Sequence, residues 1–230
     1  MTDVYTGGKY LEHNPTWHVE DSPWKARQIY RMLERHRLAP ETVGEIGCGA
    51  GEILVVLQKM LPARVSFHGY DISPQALELA RPRRGRNLEF HHADLLESTA
   101  HFDLVLTMDV MEHVEDVFGF LRRLRPRGDY HIFHIPLDMN VSAVLRGMPL
   151  IWARENLGHL HYFSAETALA ILRDTGYMVM DHFYTAAVLE LRRSTPRQRL
   201  IRIPSLISWR LSPALTAKLL SGFSLLVLAR

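Results

Sequence analysis

Short apolar runs alternate with helical patterns through most of the chain, and this alternation restricts the fold more than any other feature. "TVGEIG", "RVSFHGYD", "LEFHHAD", "FDLVLTMD" and "DYHIFHIP" read as strands, with helices near 51–60, 74–81 and 114–124 between them. Strands that are apolar nearly throughout and separated by helices need cover on both faces, which a doubly wound α/β fold with a parallel sheet provides. A helix ahead of the first strand is marked by "EDSPWKARQIYRMLERH": Ser22 can cap it, Pro23 suits its first position, and Ala26, Ile29, Tyr30 and Leu33 recur at helical spacing. "SAETALAILRDTG" gives a late helix ended by glycine, and "FSLLVLAR" a terminal strand.

With 230 residues, 47% of them hydrophobic, the chain can bury one substantial core and a small cap. The expectation is one domain over 1–230: an arm and helix in 1–40, and cap or surface insertions in 137–165 and 192–221. The formal charge of +2, from 27 basic and 25 acidic residues, gives no reason to invoke nucleic acid. Cys48 is the one cysteine, so no intrachain disulfide is possible and a reducing compartment is the simpler reading. The polar start carries no signal-peptide pattern, and no apolar run approaches the roughly 20 residues that span a bilayer. A cytoplasmic location without a transmembrane segment is expected.

"VGEIGCGAGEIL" packs glycines directly after the first apolar strand. In a doubly wound sheet, ligands bind beyond the carboxyl ends of the strands where strand order reverses, and glycines in the first turn let backbone touch the ligand. Gly47, Cys48, Gly49 and Gly51 occupy that turn. Asp71 ends the second strand, where a carboxylate can accept from both hydroxyls of a ribose, and Asp94 ends the third; as plainer alternatives, each acid could cap a helix. The spacing G-x-G-x-G departs from the dinucleotide fingerprint, which counts against a dehydrogenase. Glu45, just before the loop, would repel a pyrophosphate and suit a cation. The ligand expected is a nucleoside that carries positive charge.

These segments, taken in order with "FDLVLTMDVMEHVED", resemble the successive motifs of class I S-adenosylmethionine-dependent methyltransferases, over roughly residues 40–136. "GHLHYFSAETA" continues the likeness to the small-molecule branch more loosely. The resemblance implies a Rossmann-like, mostly parallel seven-stranded sheet with an antiparallel terminal strand, and S-adenosylmethionine as cofactor. It implies that Glu45 faces the methionine amino group, that Gly47, Cys48 and Gly49 pass beneath the ligand, and that Asp71 and Ile72 hold the ribose. Asp94 and Leu95 would meet the adenine, and Thr107, Met108 and His113 the methionine side. Tyr10 and Trp17, with Tyr5 and Trp24, would supply an aromatic lid or anchor the arm.

Methyl transfer needs a placed nucleophile and, where that nucleophile is neutral, a proton acceptor. His113, His159 and His161 are the candidates; His134, inside the fifth strand, reads as buried and satisfied, and His91 and His92 as local to theirs. Asp109, Glu112 and His113, with His159 or His161, are somewhat like the metal site of small-RNA 2′-O-methyltransferases, but no metal is expected. The function expected is methyl transfer to an O or N nucleophile of a small molecule, a metabolite or sugar. The alternatives are a non-catalytic protein that binds the cofactor and a metal-assisted 2′-O-methyltransferase. The stretch 192–210 has six arginines and no acid, which suits a surface helix that packs on the sheet or touches anionic substrate, a partner or lipid headgroups.

Overall fold

A computed structural model of the chain describes residues 19–191 and 196–230, with the side chains of 196–203 left aside. The apolar runs become strands β1 (Thr42–Ile46), β2 (Ser66–Asp71), β3 (Leu88–His92), β4 (Phe102–Met108), β5 (Gly128–Pro136), β6 (Val179–Thr185) and β7 (Ser224–Ala229). They form one sheet in the order β3-β2-β1-β4-β5-β7-β6. β1 pairs in parallel with β2 and β4, β2 with β3, and β4 with β5, whereas β7 runs antiparallel to β5 and β6. The expected doubly wound sheet with an antiparallel terminal strand is therefore present.

Successive residues of a strand face opposite sides, and the central strands are apolar on both. On β7, Leu225 and Val227 enter one core with Val105, Phe133 and Ile135, while Leu226 and Leu228 enter a second with Val43, Leu104 and Leu106. Helices α1 (Ser22–His36), α2 (Glu52–Met60), α3 (Pro74–Ala80), α4 (Val117–Leu124) and α7 (Ala165–Asp174) accompany the sheet. Between β5 and α7 lie α5 (Val141–Arg146), α6 (Met148–Trp152) and a π turn, Ala153–Leu157. Between β6 and β7 lie α8 (Ala187–Glu190), α9 (Pro196–Leu211) and α10 (Pro213–Leu219). Among the described residues no helix is long and apolar enough to cross a membrane.

The caps differ in part from the sequence reading. Ser22 lies inside α1, and Asp21 stands at its N-cap without a side-chain bond; entry into α1 relies on Pro23 and on a face that buries Trp24, Ala26, Ile29, Met32 and Leu33. Ser73, and not Asp71, caps α3 by accepting from the Ala76 N–H. Asp94 does cap, accepting from the Leu96 N–H at the 3₁₀ turn Leu95–Glu97. The helix expected from residue 114 starts at Val117, where Asp116 accepts from the Gly119 N–H at 2.8 Å.

At the entry to α2, Gly51 adopts φ +77°, and a Cβ there would lie 2.2 Å from the ring of buried Phe90. Left-handed backbone and overpacking act together at this position. Gly51→Ala is expected to lower stability by about 2 to 4 kcal/mol, measured by urea denaturation.

Candidate functional site

Strand order reverses between β1 and β4, and a cavity of about 490 Å³ opens there at the carboxyl ends of the strands. Gly47, Asp71, Ile72, Asp94, Leu95, Asp109, Val110 and His113 line it. Another cavity, of about 400 Å³, is lined by Arg122, Arg125, Asp129 and Arg230 at the opposite end of β5, away from Asp71 and Asp94.

The loop after β1 is left-handed at Gly47, Gly49 and Gly51. At Gly47 a Cβ would reach within 2.7 Å of a Val110 methyl, so no side chain fits between the loop and the turn after β4. Asp71 fixes the loop to β2: one carboxylate oxygen accepts from the Gly49 N–H and the other from the Ser73 N–H, both at 2.8 Å. A carboxylate has about four acceptor sites, so two remain for a ligand. Burial raises the Asp71 pKa, and these hydrogen bonds oppose the rise.

Glu45 is 1% exposed and its Oε2 has no hydrogen-bond partner. Burial drives its pKa up to about 8, against the pull of Lys25 and with an added push from Asp71. Such a group is a neutral acid that a cation would ionise, and together with the glycine loop it fits a ligand bearing an amino group.

Asp109, the first residue after β4, takes φ +56°. Its carboxylate contacts Lys25 Nζ at 2.7 Å and His134 Nδ1 at 2.6 Å, and His134 Nε2 meets Thr185 Oγ1 at 3.0 Å. Burial works to raise the Asp109 pKa, but His134 and Lys25 outweigh it and hold the carboxyl well below its ordinary value. His134 is thus buried with both ring nitrogens engaged, as its position in a strand suggested.

Beyond the turn, Glu112 is buried with neither carboxylate oxygen hydrogen-bonded; burial, with Asp109 and Asp138 nearby, pushes its pKa well up. His113 Nδ1 lies 3.2 Å from the Gly158 carbonyl, and burial plus His159 depress its pKa to about 4. The His159 ring meets that of His113 edge-on at 5.0 Å, and its Nδ1 lies 2.6 Å from Asp138 Oδ2. Atoms of Glu112, His113 and His159 able to ligate a metal all lie within 4.8 Å of one another.

Several expected contacts fall elsewhere. Thr107 and Met108 are buried and do not line the cavity, because the left-handed turn at Asp109 hands that wall to Asp109, Val110 and His113. Cys48 is buried, its sulfur beside Gly69, and is likewise absent from the lining. His161 Nε2 donates to the Val114 and Glu115 carbonyls at 2.8 and 3.3 Å, which makes it a brace of its loop. Trp24 is no lid: it is 2% exposed and donates to Glu190 at 2.6 Å. Tyr5, Tyr10 and Trp17 lie outside the described residues. Lys25 carried no sequence signal, since a cation on an amphipathic helix ordinarily faces water.

Between its ordinary value of 4.5 and about 8, Glu45 holds a proton in the folded state that the unfolded chain has released. Stability without ligand therefore falls as pH rises through that window. Glu45→Gln is expected to flatten part of this decline when urea midpoints are compared at about pH 5 and about pH 8.

A family model described as a methyltransferase domain matches residues 19–182. The ubiquinone biosynthesis O-methyltransferase of Methylocella silvestris is 37% identical over 101 residues, 39% of this chain and 38% of that protein. Its mitochondrial counterpart from Schizosaccharomyces pombe is 30% identical over 113 residues, 44% of this chain and 39% of that one. The chain thus spans roughly two fifths of the length of these curated relatives. The magnesium protoporphyrin IX methyltransferase of Synechocystis PCC 6803, solved with bound SAH, superimposes with a TM-score of 0.61 at 17% identity, over 90% of this chain and 83% of that one. Sheet order, glycine loop and family match agree: the chain belongs to the methyltransferase-domain family and has the class I S-adenosylmethionine-dependent methyltransferase fold.

Proposed function

We propose that the chain transfers a methyl group from S-adenosylmethionine to an oxygen or nitrogen of a small molecule, a metabolite or sugar, in the cytoplasm and without nucleic acid. The carrying observation is the Asp138–His159 pair, which packs behind His113, itself a residue of the cavity wall. The names of the curated relatives favour an oxygen acceptor.

The residues fit the cofactor by chemistry. Glu45, buried without a partner at Oε2, suits the methionine ammonium; Asp71 has acceptor sites left for the ribose; Ile72, an exposed apolar side chain, and Leu95 offer flat cover to an adenine beside Asp94. When bound, S-adenosylmethionine supplies a methyl group on a sulfonium. The chain's part is to align the acceptor and remove its proton. An Asp138 carboxylate only accepts, so His159 Nδ1 carries the hydrogen and Nε2 offers its lone pair. His159 Nε2 would take the proton of an acceptor hydroxyl held against the methyl group that the cofactor would supply, and the sulfur would keep the bonding pair. His113, whose pKa is about 4, stays neutral at pH 7 and so adds no charge against the sulfonium.

His159→Ala is expected to lower turnover by about 10²-fold or more with SAH affinity nearly unchanged by calorimetry. Asp138→Asn should lose less, and His161→Ala should keep turnover close to wild type in a properly folded protein. Wild-type turnover in His159→Ala would refute the assignment.

A second reading, metal-assisted transfer, is favoured by one observation: both Glu112 oxygens are buried without a hydrogen-bond partner next to two imidazoles. Glu112, His113 and His159 would then hold a divalent cation, which would polarise the acceptor oxygen. Metal analysis of the purified protein, with activity followed through chelation and re-addition, separates the readings. Full activity in metal-free protein favours His159 as base, whereas loss that Mg²⁺, Mn²⁺ or Zn²⁺ restores favours the cation.

A further inference from the structure

Most of the large apolar side chains that the described residues expose fall in two segments, residues 139–152 and 206–219. On α5 and α6, Leu145 is 81%, Met148 69% and Trp152 55% exposed; on α9 and α10, Leu211 is 81%, Ile207 55% and Leu215 54% exposed. The two segments adjoin. Ser221, just after α10, donates to Asn140 Oδ1 at 3.1 Å, and its hydroxyl lies 3.5 Å from that of Ser142. Pro204, Ile207, Leu211 and Leu215 also line an open, almost wholly apolar groove of about 460 Å³. Clustered exposure of this kind marks a contact surface, since scattered single residues need no explanation but contiguous patches do.

The charges select the occupant. Arg146 and Arg210 are exposed on these segments, and Arg154, with Glu155 beside it, is exposed just beyond the first. From 192 to 220 the sequence has seven basic residues and no Asp or Glu. A symmetric contact between two copies would set this patch against itself, arginine facing arginine. A bilayer with anionic headgroups instead takes the apolar side chains into its interface and pairs the arginines with lipid phosphates. We infer that this paired face, α5–α6 with α9–α10, docks the protein peripherally on an anionic membrane. The attachment does not depend on the catalytic assignment, yet it is near the acceptor side, because the π turn after α6 leads directly to His159, whose N–H bonds the Ala153 carbonyl at 3.2 Å.

Co-sedimentation with vesicles of phosphatidylcholine alone, or mixed with phosphatidylglycerol, tests this on the full chain. The protein is expected to pellet with the anionic vesicles at least about tenfold more tightly, and added salt should weaken the binding. Leu145→Glu and Leu211→Glu, at positions too exposed to disturb folding, should each reduce binding about tenfold or more, and so should Arg146→Glu with Arg210→Glu. Circular dichroism serves as the folding control. Wild-type protein that stays in the supernatant with anionic vesicles, or charge-reversed protein that binds as well as wild type, overturns the proposal. So does a stable dimer in gel filtration that Leu145→Glu dissociates, which would make the face an interface between copies.

Discussion

The contact of Lys25 and His134 with Asp109 is the interaction on which the site depends. Asp109 is one of two non-glycine residues in left-handed backbone among the described residues, a conformation that persists only where its surroundings over-determine it. Here they do: α1 supplies the cation, β5 the imidazole, and Thr185 at the end of β6 holds the far side of that imidazole. Breaking a buried pair costs about 3 to 5 kcal/mol, more than the local backbone strain. The turn is therefore stable, and it sends the chain off β4 so that Val110 closes over Gly47 while Glu112 and His113 turn inward. α1, which reads as a mere preface to the sheet, thus holds a lining residue of the cavity in place.

Asp109 is ionised because a cation and an imidazole reach it. Glu45 and Glu112, more deeply buried than Asp109, lack such close partners, and burial makes them weak acids. The contrast assigns roles. An ionised, fully engaged carboxylate is structural, since a ligand could bind it only by displacing its partners. A neutral one with an idle oxygen is poised: an ammonium next to Glu45, or a divalent cation next to Glu112, would restore the charge that burial suppresses, and the apo protein carries the cost of keeping those acids dry. Lys25 contributes to both sides, as the direct partner of Asp109 and a weaker influence on Glu45.

The strand-end side of the cavity, with Gly47, Asp71 and Asp94, was legible in the sequence because each of its parts is local. A glycine loop after a strand, Asp71 at the end of the next strand and Asp94 after the third need only the alternation of strands and helices to be brought to one edge. Thr107 and Met108 came from the family resemblance and lie buried off the cavity, whereas His113, expected beside them, does line it; no sequence pattern marks the left-handed Asp109 that brings Val110 to that wall. Trp24 left two readings open, a lid or an anchor, and the fold takes the second: on α1 it falls on the buried face, with its indole N–H taken by Glu190, 166 residues away.

The histidine cluster was harder to read, since its parts meet only through long connections. His159 and Asp138 are 21 residues apart, joined across the whole α5–α6 insertion, and His161 reaches back 47 residues to the carbonyl of Val114. In the sequence the two histidines of "GHLHYFS" were equivalent, two apart and able to share a face. The fold separates them by what each finds: His159 Nδ1 the Asp138 carboxylate, and His161 Nε2 two carbonyls that consume its donor. The same insertion that brings Asp138 to His159 also exposes Leu145, Met148 and Trp152 on its outer side. One segment thus joins Asp138 to His159 within and carries an apolar surface without, so changes in its length or composition would alter both together while the sheet and its glycine loop stayed as they are.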